Sequence, residues 1–320
     1  MHTGPKKLHT NYPNITALGG YIVDVRRLVD PTNKNWSAFN PSIAHHPRKG
    51  YAMTVRSSNY VITDRGEYKV VDGGLIKSQV WFSELDKNLK LKDLRKIDLS
   101  GVEPKLSRGL EDAKLFVRDG KWMFSAVVLE ESVPKARMAI ASLDAKGTRV
   151  TKLDIFPSTD AGRVEKNWMV SPEENPYFDF IYGPNQIVKG DQMISWMTDH
   201  PVISALRGGS NLMPMGDGNY LAVTHRMFGK QDSYFQPETF GMLHSDRREY
   251  VHYFVKYDEK GIVRAMSDGF IFYKPGVEFA AGLTSRKKEL LISFGREDVS
   301  SHIAVMPYET VLKSLRPVLY

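Results

Sequence analysis

Short strand-like runs separated by polar turns recur along the whole chain, and they limit the folds that it can adopt. Five of them read RKGYAMTVRSS, RDGKWMFSAVV, GDQMISWMT, GDGNYLAVTHR and RKKELLISFGRE. Each is a Gly-, Asp- or Lys-containing turn followed by alternating or apolar residues, which is typical of a β-hairpin. Helical start signals and spacing favour a helix only near the carboxyl end, in PYETVLKSL. The sequence therefore predicts an all-β fold with a short C-terminal helix.

The hairpins lie inside a longer, irregular repeat in which a polar motif precedes each pair of strands. Five such units begin near Phe39, Glu111, Glu165, Arg207 and Glu278. Repetition at tens of residues in an all-β chain predicts a five-bladed β-propeller, with a pair of β-sandwiches as the alternative. No Pro/Ser-rich linker divides the chain. We therefore expect residues 1–320 to form one domain, in which residues 1–35 lead into blade 1.

Composition limits the class of partner and the compartment. The chain carries 44 Lys and Arg against 37 Asp and Glu, a net charge of +7. This moderate excess suits acidic partners such as phosphate, nucleotides or nucleic acid, although no basic run is long enough for a nucleic-acid tail. The absence of cysteine excludes disulfides and thiolate metal sites. The amino terminus lacks a signal-peptide core, and no apolar stretch approaches membrane-spanning length, so we expect a cytoplasmic protein without a membrane partner.

The sequence carries no cofactor signature. His45, His46 and His252 lack the spacing of a metal site. No Walker sequence or glycine-rich dinucleotide fingerprint is present, which argues against a Rossmann-type donor domain. We therefore expect neither a metal nor an organic cofactor.

Five polar motifs occupy equivalent places in the five units. They are FNPS, LEDA, EKNW and RGGS before the inner strands, and GRED after a strand of the last unit. In a propeller the innermost strands line a central channel, and the loops that enter them meet at one end. The sequence therefore predicts that these motifs surround one pocket.

The motifs resemble those of glycoside hydrolase family 130, the five-bladed propellers that include mannoside phosphorylases, and of related propeller glycosyltransferases. AFNPSIA is similar to the family's Asn-Pro segment, and RGLEDAKLFVRDGKWMFSAV to the stretch with its catalytic aspartate. VEKNWMVSPEE resembles the lysine-bearing stretch, RGGSNLMPMGDGNYLAVTHR the strand that ends in histidine, and VEFAAGLTSRKKELLISFGREDVSSHIAV the last blade. The family often has Glu-Asp-Pro-Arg where this chain has Glu111-Asp112-Ala113-Lys114.

The resemblance assigns roles to individual residues. It implies that Asp112 is the catalytic acid or base of an inverting reaction, with its proton passed directly or through a sugar hydroxyl. Asn40, Ser42 and Asp298 match sugar-holding positions, and Arg108 and Glu111 are further substrate-binding candidates. For Glu111 the alternative is an ion pair with Arg108 or Lys114. Four basic residues are candidates for binding phosphate or a donor diphosphate: Lys166, His225, Arg226 and Arg137.

Each of these residues also has a purely structural alternative. Asp112 could accept turn hydrogen bonds, as aspartates at the start of a blade often do, and Asp298 could belong to a simple turn. Lys166 could form an ordinary ion pair with Glu165. Trp36 and Trp168 could stack on a sugar face, but tryptophan in a propeller is more often part of the core.

Three classes of function remain at the sequence level. The favoured one is an inverting enzyme that transfers a mannose-like hexosyl group, from an activated sugar donor to an acceptor such as modified DNA. The alternative within that class is a β-mannoside phosphorylase that uses inorganic phosphate. A hydrolase would need a second carboxylate, for which Glu165 and Glu278 are candidates. The other class is a non-catalytic carbohydrate-binding or scaffold propeller.

Overall fold

The computed structural model describes residues 12–25, 30–63, 68–102, 106–129, 136–157, 165–175, 177–183, 185–198, 200–228 and 248–319. Residues 1–11 and 26–29 of the predicted N-terminal segment lie outside these ranges. Strands dominate the described chain, as the hairpin pattern predicts.

The strands are numbered in chain order. The first eleven are β1 (Tyr21–Asp24), β2 (Ser37–His46), β3 (Gly50–Ser58), β4 (Tyr60–Ile62), β5 (Tyr68–Val70), β6 (Ser78–Glu84), β7 (Arg95–Lys96), β8 (Leu110–Arg118), β9 (Lys121–Leu129), β10 (Ala136–Leu143) and β11 (Val150–Ile155). The others are β12 (Met169–Val170), β13 (Phe180–Gly183), β14 (Gln186–Lys189), β15 (Gln192–Ser195), β16 (Met213–Pro214), β17 (Tyr220–Phe228), β18 (Glu249–Tyr257), β19 (Val263–Met266), β20 (Glu278–Arg286), β21 (Glu289–Arg296), β22 (Ser300–Pro307) and β23 (Arg316–Pro317). A 3₁₀ turn covers Ile203–Ala205, and α1 covers Tyr308–Ser314.

Five antiparallel sheets form the blades of a propeller. From the channel outward, blade 1 is β2-β3-β6-β7, blade 2 is β8-β9-β10-β11, and blade 3 is β12-β13-β14-β15. Blade 4 is β16-β17-β18-β19-β23, and blade 5 is β20-β21-β22-β1. The predicted five-bladed fold is confirmed, and each inner strand begins within a few residues of a predicted unit. Strands β4 and β5 form a separate two-stranded sheet inserted between β3 and β6.

Both ends of the described chain add a strand to a blade formed by another part of the sequence. Strand β1 pairs with β22, so the N-terminal segment completes blade 5 besides leading into blade 1. Helix α1 lies where it is predicted, and β23 after it pairs with β19 of blade 4. The C-terminal segment therefore docks on a blade of its own chain. No helix within the described ranges is long and apolar enough to cross a membrane.

The core is divided into five apolar clusters, one between each pair of neighbouring blades. Each cluster has members from two blades: Phe82 and Trp122 (blades 1 and 2), Phe116 and Trp168 (2 and 3), Ile181 and Tyr220 (3 and 4), Phe254 and Phe294 (4 and 5), and Trp81 and Ile303 (5 and 1). Removal of these surfaces from water is the main favourable term that holds the blades together. Because each blade is covered on both faces, its inner strands are almost continuously buried.

The inner strands of blades 1 and 2 both contain a β-bulge, which sets the direction of a polar side chain in each motif. The pairing of β2 with β3 shifts between Phe39 and Ser42, and that of β8 with β9 shifts between Glu111 and Lys114. Asn40 and Asp112, which lie in these two bulges, both have a φ of 48°. Asn and Asp tolerate this left-handed conformation better than other non-glycine residues, and a bulge re-aims the side chain that it carries. Asn40 and Asp112 therefore occupy the same place in successive blades.

Candidate active site

Four of the five polar motifs, FNPS, LEDA, EKNW and GRED, supply residues that are linked at one end of the channel, where β2 and β8 begin. We call this end the mouth. Seven residues that are linked by hydrogen bonds or by charge interactions form the mouth cluster: Asn40, Arg56, Tyr60, Glu111, Asp112, Lys166 and Asp298. Five of the seven are predicted from the sequence, whereas Arg56 and Tyr60 are not.

Asp112 lies at the centre of the mouth cluster. Its Oδ1 accepts hydrogen bonds from Asn40 Nδ2 at 2.9 Å and from Arg56 Nη1 at 3.1 Å. Blade 5 approaches closely here, since a Cβ on Gly295 would lie 2.1 Å from Asn40 Oδ1. The side chain of Asp112 remains 15% exposed. One carboxylate oxygen is thus fixed by two neighbours, while the group stays within reach of a ligand in the mouth.

Arg56 is the buried cation that organises the carboxylates. It lies on β3, with its side chain 5% exposed, and donates from Nη2 to Glu111 Oε1 at 2.9 Å and from Nε to Ser78 Oγ at 2.9 Å. Its guanidinium also lies 5.2 Å from the ring centroid of Phe39. Burial disfavours the charge, but Glu111, Tyr60 and Asp112 outweigh burial and raise the pKa of Arg56. Arg56 is therefore charged and shared between Glu111 and Asp112.

Glu111 connects Arg56 to the cation of blade 3. Its Oε2 lies 3.4 Å from Lys166 Nζ. Burial favours the protonated carboxyl, but Arg56 and Lys166 outweigh it and lower the pKa of Glu111 to about 2. In return, Glu111 raises the pKa of Lys166, whose side chain is 44% exposed. Glu111 thus pairs with neither Arg108 nor Lys114, the partners considered from the sequence. Lys166 is bonded to Glu111 rather than to Glu165 and extends into the mouth.

Asp298 and Tyr60 form the blade 5 side of the mouth cluster. Tyr60 Oη donates to Asp298 Oδ2 at 2.7 Å. Both residues are buried, and Asp298 has a φ of 51° in the turn between β21 and β22. Burial raises the pKa of Asp298 to about 6, against the opposing effects of Tyr60 and Arg56 and with a smaller contribution from Asp112. Asp298 therefore changes protonation state close to neutral pH.

The raised pKa of Asp298 predicts that this residue destabilises the fold at neutral and alkaline pH. Because its folded pKa of about 6 exceeds its ordinary value of 3.8, stability falls as pH rises from about 4 to 6 and stays lower above that range. Asparagine tolerates the same left-handed backbone and still accepts from Tyr60. We expect Asp298→Asn to raise the free energy of unfolding by about 1–3 kcal/mol at pH 8 and by much less at pH 4.

Urea denaturation at pH 4, 6 and 8 would measure this effect. The control is Asp154→Asn, which removes a 49% exposed carboxylate bonded to Lys152, and we expect it to change stability by less than about 1 kcal/mol at each pH. A gain for Asp298→Asn that is the same at all three pH values would contradict the assignment, since the effect would then not come from titration.

Lys114 lies beneath the mouth rather than in it. Its Nζ donates to the carbonyl of Trp168 and, at 3.0 Å, to that of Gly209. It is 1% exposed, and burial lowers its pKa to about 7. The side chain therefore crosses from blade 2 to the strand-entry segments of blades 3 and 4, where it satisfies two buried carbonyl groups.

Two of the predicted anion-binding residues occupy unfavourable positions for that role. The His225 ring is 1% exposed and stacks on Tyr250 at 4.5 Å. Burial, followed by His252, lowers the pKa of His225 well below its ordinary value, so the imidazole is neutral. Arg226 follows it on β17 and so faces the other side of blade 4, with its guanidinium 4.7 Å from the Phe228 ring. Arg207, which pairs through its backbone with His225, lies within electrostatic reach of Tyr250, as Asp298 does.

Arg137 and Arg108 lie at the mouth end of blade 2 but outside the mouth cluster. Arg137 is opposite Val128, which in turn is opposite Leu110, so it stands two strands outward at the same level. Arg108 donates from Nε to the carbonyl of Ile76 at 3.2 Å and contributes to lowering the pKa of Glu111. Both add positive charge near the mouth without a direct contact to Asp112.

Two other candidates make hydrogen bonds within the scaffold. Ser42 is fully buried, where Oγ donates to the carbonyl of Ala281 and accepts from the N–H of Leu115, both at 2.9 Å. It links three blades, and this position does not support the predicted contact with sugar. The Glu278 carboxylate accepts from the N–H groups of residues 272–274, and Glu165 is completely buried. Neither glutamate is placed to activate water for hydrolysis.

Neither tryptophan stands in the mouth. Trp168 is completely buried and packs edge-on against Phe180. Trp36 is 6% exposed and lines a cleft of about 550 Å³ beside β6 and β7, together with Lys77, Lys96 and Asp98. Apart from Trp36, none of the residues predicted for the active site lines this cleft. Within the described ranges, no group of three or more His, Asp or Glu side chains is placed to hold a metal ion.

Of the two mouth residues that the sequence did not predict, Arg56 carries a signal that could have found it, and Tyr60 does not. Arg56 stands in the run YAMTVRSSNY, among residues that are otherwise apolar or small. An arginine in a buried strand needs an anionic partner, because a lone buried charge is strongly disfavoured. That requirement points to the carboxylates of a neighbouring blade. Tyr60 follows four residues later, and only the structure shows that it reaches Asp298.

Comparison with known proteins identifies the fold. No protein-family model and no curated protein matches the sequence. The structure is similar to β-1,2-mannobiose phosphorylase from Listeria innocua in complex with β-1,2-mannobiose (TM-score 0.61, 13% identity, covering 92% of this chain and 98% of that one). It is also similar to a GH130 structure described with glycoside hydrolases that target β-1,2 mannosidic linkages in Candida mannan (0.59, 11%, 91% and 94%). A mannose phosphorylase from Leishmania mexicana in complex with phosphate is a third similar structure (0.54, 13%, 94% and 93%). At these identities the likeness establishes a shared propeller fold.

Proposed function

We propose that this protein is an inverting glycoside phosphorylase that exchanges a β-mannoside-type linkage for inorganic phosphate, with Asp112 as the catalytic acid. The observation that carries the proposal is the setting of Asp112. Its carboxylate is held by Asn40 and Arg56 in a left-handed bulge, at a mouth that also presents the cation of Lys166. The fold shared with mannoside phosphorylases supports the same conclusion.

The proposed reaction takes place in the mouth and needs no reactant besides the glycoside and phosphate. A phosphate oxygen attacks the anomeric carbon from the face opposite the leaving group, and the glycosidic C–O bond breaks with inversion. Protonated Asp112 supplies the proton to the leaving oxygen, directly or through a sugar hydroxyl. The phosphate proton released as the sugar phosphate ester forms restores the acid. The products are a sugar 1-phosphate and a free acceptor hydroxyl.

The other mouth residues suit the two halves of this reaction. Asp298, held by Tyr60, and the amide of Asn40 can bind hydroxyl groups of the transferred hexose. Lys166 and Arg207, with Arg108 and Arg137 further out, make the surroundings positive. Fixed cations stabilise both the bound phosphate and its negative charge during transfer. His225, being neutral, would contribute at most a hydrogen bond.

The phosphorylase is preferred to the nucleotide-sugar transferase that the sequence favoured, because two of the similar structures are described as phosphorylases. A polymeric acceptor such as DNA has no comparable support. The hydrolase alternative is weakened by the positions of Glu165 and Glu278. A pure scaffold does not account for the convergence of Asn40, Asp112, Lys166 and Asp298 at one mouth.

A donor screen would test the proposal. The protein would be incubated with mono- and disaccharide acceptors together with α-mannose 1-phosphate, α-glucose 1-phosphate, GDP-mannose or UDP-glucose, and release of phosphate or nucleotide would be followed. We expect phosphate release from α-mannose 1-phosphate, and phosphate-dependent breakdown of β-mannobiose in the reverse direction. Identically prepared Asp112→Asn protein controls for contaminating enzymes. Release of nucleotide alone, or breakdown of mannobiose without phosphate, would overturn the phosphorylase proposal in favour of a transferase or a hydrolase.

A further inference from the structure

The inserted hairpin β4–β5 places two tyrosines on one face above the mouth cluster. In its register Ile62 is opposite Tyr68, and Tyr60 is opposite Val70. Because side chains alternate along a strand and directly opposite residues share a face, Tyr60 and Tyr68 project from the same side. Their rings meet edge to face, with centroids 5.0 Å apart. The hairpin thus carries a second aromatic ring outward from the one that bonds Asp298.

The two rings differ sharply in exposure. Tyr60 is 3% exposed, whereas Tyr68 is 45% exposed. The hydroxyl of Tyr68 accepts from Arg248 Nη1 at 3.1 Å, and the guanidinium carbon lies 5.6 Å from the ring centroid. Arg248 directly precedes β18, so this contact joins the blade 1 insertion to blade 4 across the mouth. Arg248 therefore bonds the hydroxyl of Tyr68 and lies over its ring, and Tyr60 packs against it edge to face, while much of the remaining surface of Tyr68 faces solvent.

Contacts through Tyr60, supported by charge interactions, place Tyr68 near Asp298. Burial and the Asp298 carboxylate raise the pKa of Tyr68, whereas Arg248 and Lys166 oppose that rise. The hydroxyl therefore lies within electrostatic reach of both Asp298 and Lys166. A ligand whose transferred ring contacts Asp298 would project its remaining part past Tyr68.

We propose that Tyr68 is a specificity-determining residue that stacks against the pyranose ring on the leaving-group side of the bond, with Arg248 as its positioning residue. This inference rests on the proposed function. An aromatic face offers a large, rigid apolar surface to the C–H face of a sugar, and its polar edge remains hydrogen-bonded. Binding pockets commonly combine such an aromatic wall with a few fixed polar groups. Here the polar groups are supplied by Asp298 and Asn40 deeper in the mouth.

Kinetics in the synthetic direction would test this role. We expect Tyr68→Ala to raise the KM for a mannose acceptor about 5–10-fold, the equivalent of a lost aromatic contact. The KM for α-mannose 1-phosphate and kcat should stay within about twofold, because Tyr68 is expected to contact only the acceptor ring. Tyr68→Phe, which keeps the ring, should stay within about twofold in all three constants. An acceptor KM that is unchanged in Tyr68→Ala would overturn the proposal.

A matched control distinguishes the loss of stacking on the sugar from the general effect of removing an exposed tyrosine. Tyr177 is 47% exposed, with Lys260 Nζ 5.8 Å from its ring centroid, and lies on blade 3 away from the mouth cluster. Tyr177→Ala should leave all three constants unchanged. If Tyr68→Ala instead raises both KM values together with a lower melting temperature, Tyr68 is only a packing residue for Tyr60, and the proposal is wrong.

Direct binding distinguishes failure of this inference from failure of the proposed function. Isothermal titration with β-1,2-mannobiose in the absence of phosphate needs no turnover. If wild type binds it without catalysing phosphorolysis, the proposed function fails, and about 5–10-fold weaker binding by Tyr68→Ala would still support stacking. Equal affinities for wild type and Tyr68→Ala would overturn it. If wild type neither binds mannobiose nor turns over any donor, both proposals are wrong.

Discussion

Replacement of Arg56 by methionine is expected to lower the free energy of unfolding by about 3–5 kcal/mol at pH 7. The substitution keeps most of the apolar volume but removes the cation between two carboxylates. Glu111 and Asp112 would then lie close together, with Lys166 bonded to Glu111 and Arg108 further away to compensate them. A buried ion pair adds little net stability when complete, yet loss of one partner leaves an uncompensated charge in the interior. Urea denaturation followed by tryptophan fluorescence would measure the loss.

Arg286→Met is the matched control for Arg56→Met. Arg286 bonds Glu289 at 2.8 Å, but the two side chains are 25% and 37% exposed, so we expect a loss below about 1 kcal/mol. Equal losses in the two variants would contradict the assignment of Arg56 as the organising cation.

The pH dependence of the stability of Arg56→Met gives a second check. Glu111, with a folded pKa of about 2 against an ordinary 4.5, stabilises wild type above about pH 4.5 and loses that contribution as pH falls towards 2. The deficit of Arg56→Met should therefore narrow below about pH 4.5.

The sequence predicted the architecture because a propeller repeats one local pattern. Turn residues and alternating apolar runs are short-range signals, and five units with similar signals specify five similar sheets. The convergence of the motifs follows from the same repetition. Asn40 and Asp112 occupy equivalent places near the starts of β2 and β8, so the shared bulge brings them within hydrogen-bond distance although 72 residues separate them.

The long-range parts of the fold could not be predicted in this way. The N-terminal strand β1 completes blade 5, and its pairing with β22 leaves no local mark in the sequence. The hairpin β4–β5 reads as a continuation of blade 1, although it forms a separate sheet. What Ser42 contacts also depends on two other blades, because its hydroxyl lies between Ala281 and Leu115. A hydroxyl that suits sugar recognition by its chemistry serves the scaffold here.

Protonation states are the other property that could not be predicted from the sequence. The sequence predicts an anion-binding role for His225, but its burial against Tyr250 and His252 makes it neutral. Asp298 differs from Glu111 in the same mouth because Glu111 contacts two cations directly, while Asp298 accepts only from a neutral phenol in the described structure. Residue type sets the ordinary pKa, and the burial and partners that shift it are known only once the blades are assembled.

Conversion of Asp112 to asparagine is expected to lower kcat/KM for phosphorolysis of β-mannobiose by about 10²–10⁴-fold, the usual contribution of a positioned acid. The amide oxygen can still accept from Asn40 and Arg56, and asparagine tolerates the φ of 48°. Stability should therefore change far less than in Arg56→Met. The matched control is Asp217→Asn, which alters a 53% exposed carboxylate bonded to Lys256, and we expect it to retain full activity.

Two substrates with different leaving groups distinguish a residue that donates a proton from one that only maintains the structure of the mouth. The leaving group of a dinitrophenyl β-mannoside is a stabilised phenolate, which can depart with little protonation. The leaving oxygen of a second sugar is a basic alkoxide, which must be protonated as it departs. Asp112→Asn should therefore lose far less activity on the aryl mannoside than on mannobiose, with both reactions followed in the presence of phosphate. Equal losses on the two substrates would show that Asp112 acts by positioning groups such as Asn40 rather than by donating a proton. The transferred proton would then have to come from another group in the mouth, and Asp298, whose pKa is about 6, is the residue to substitute next.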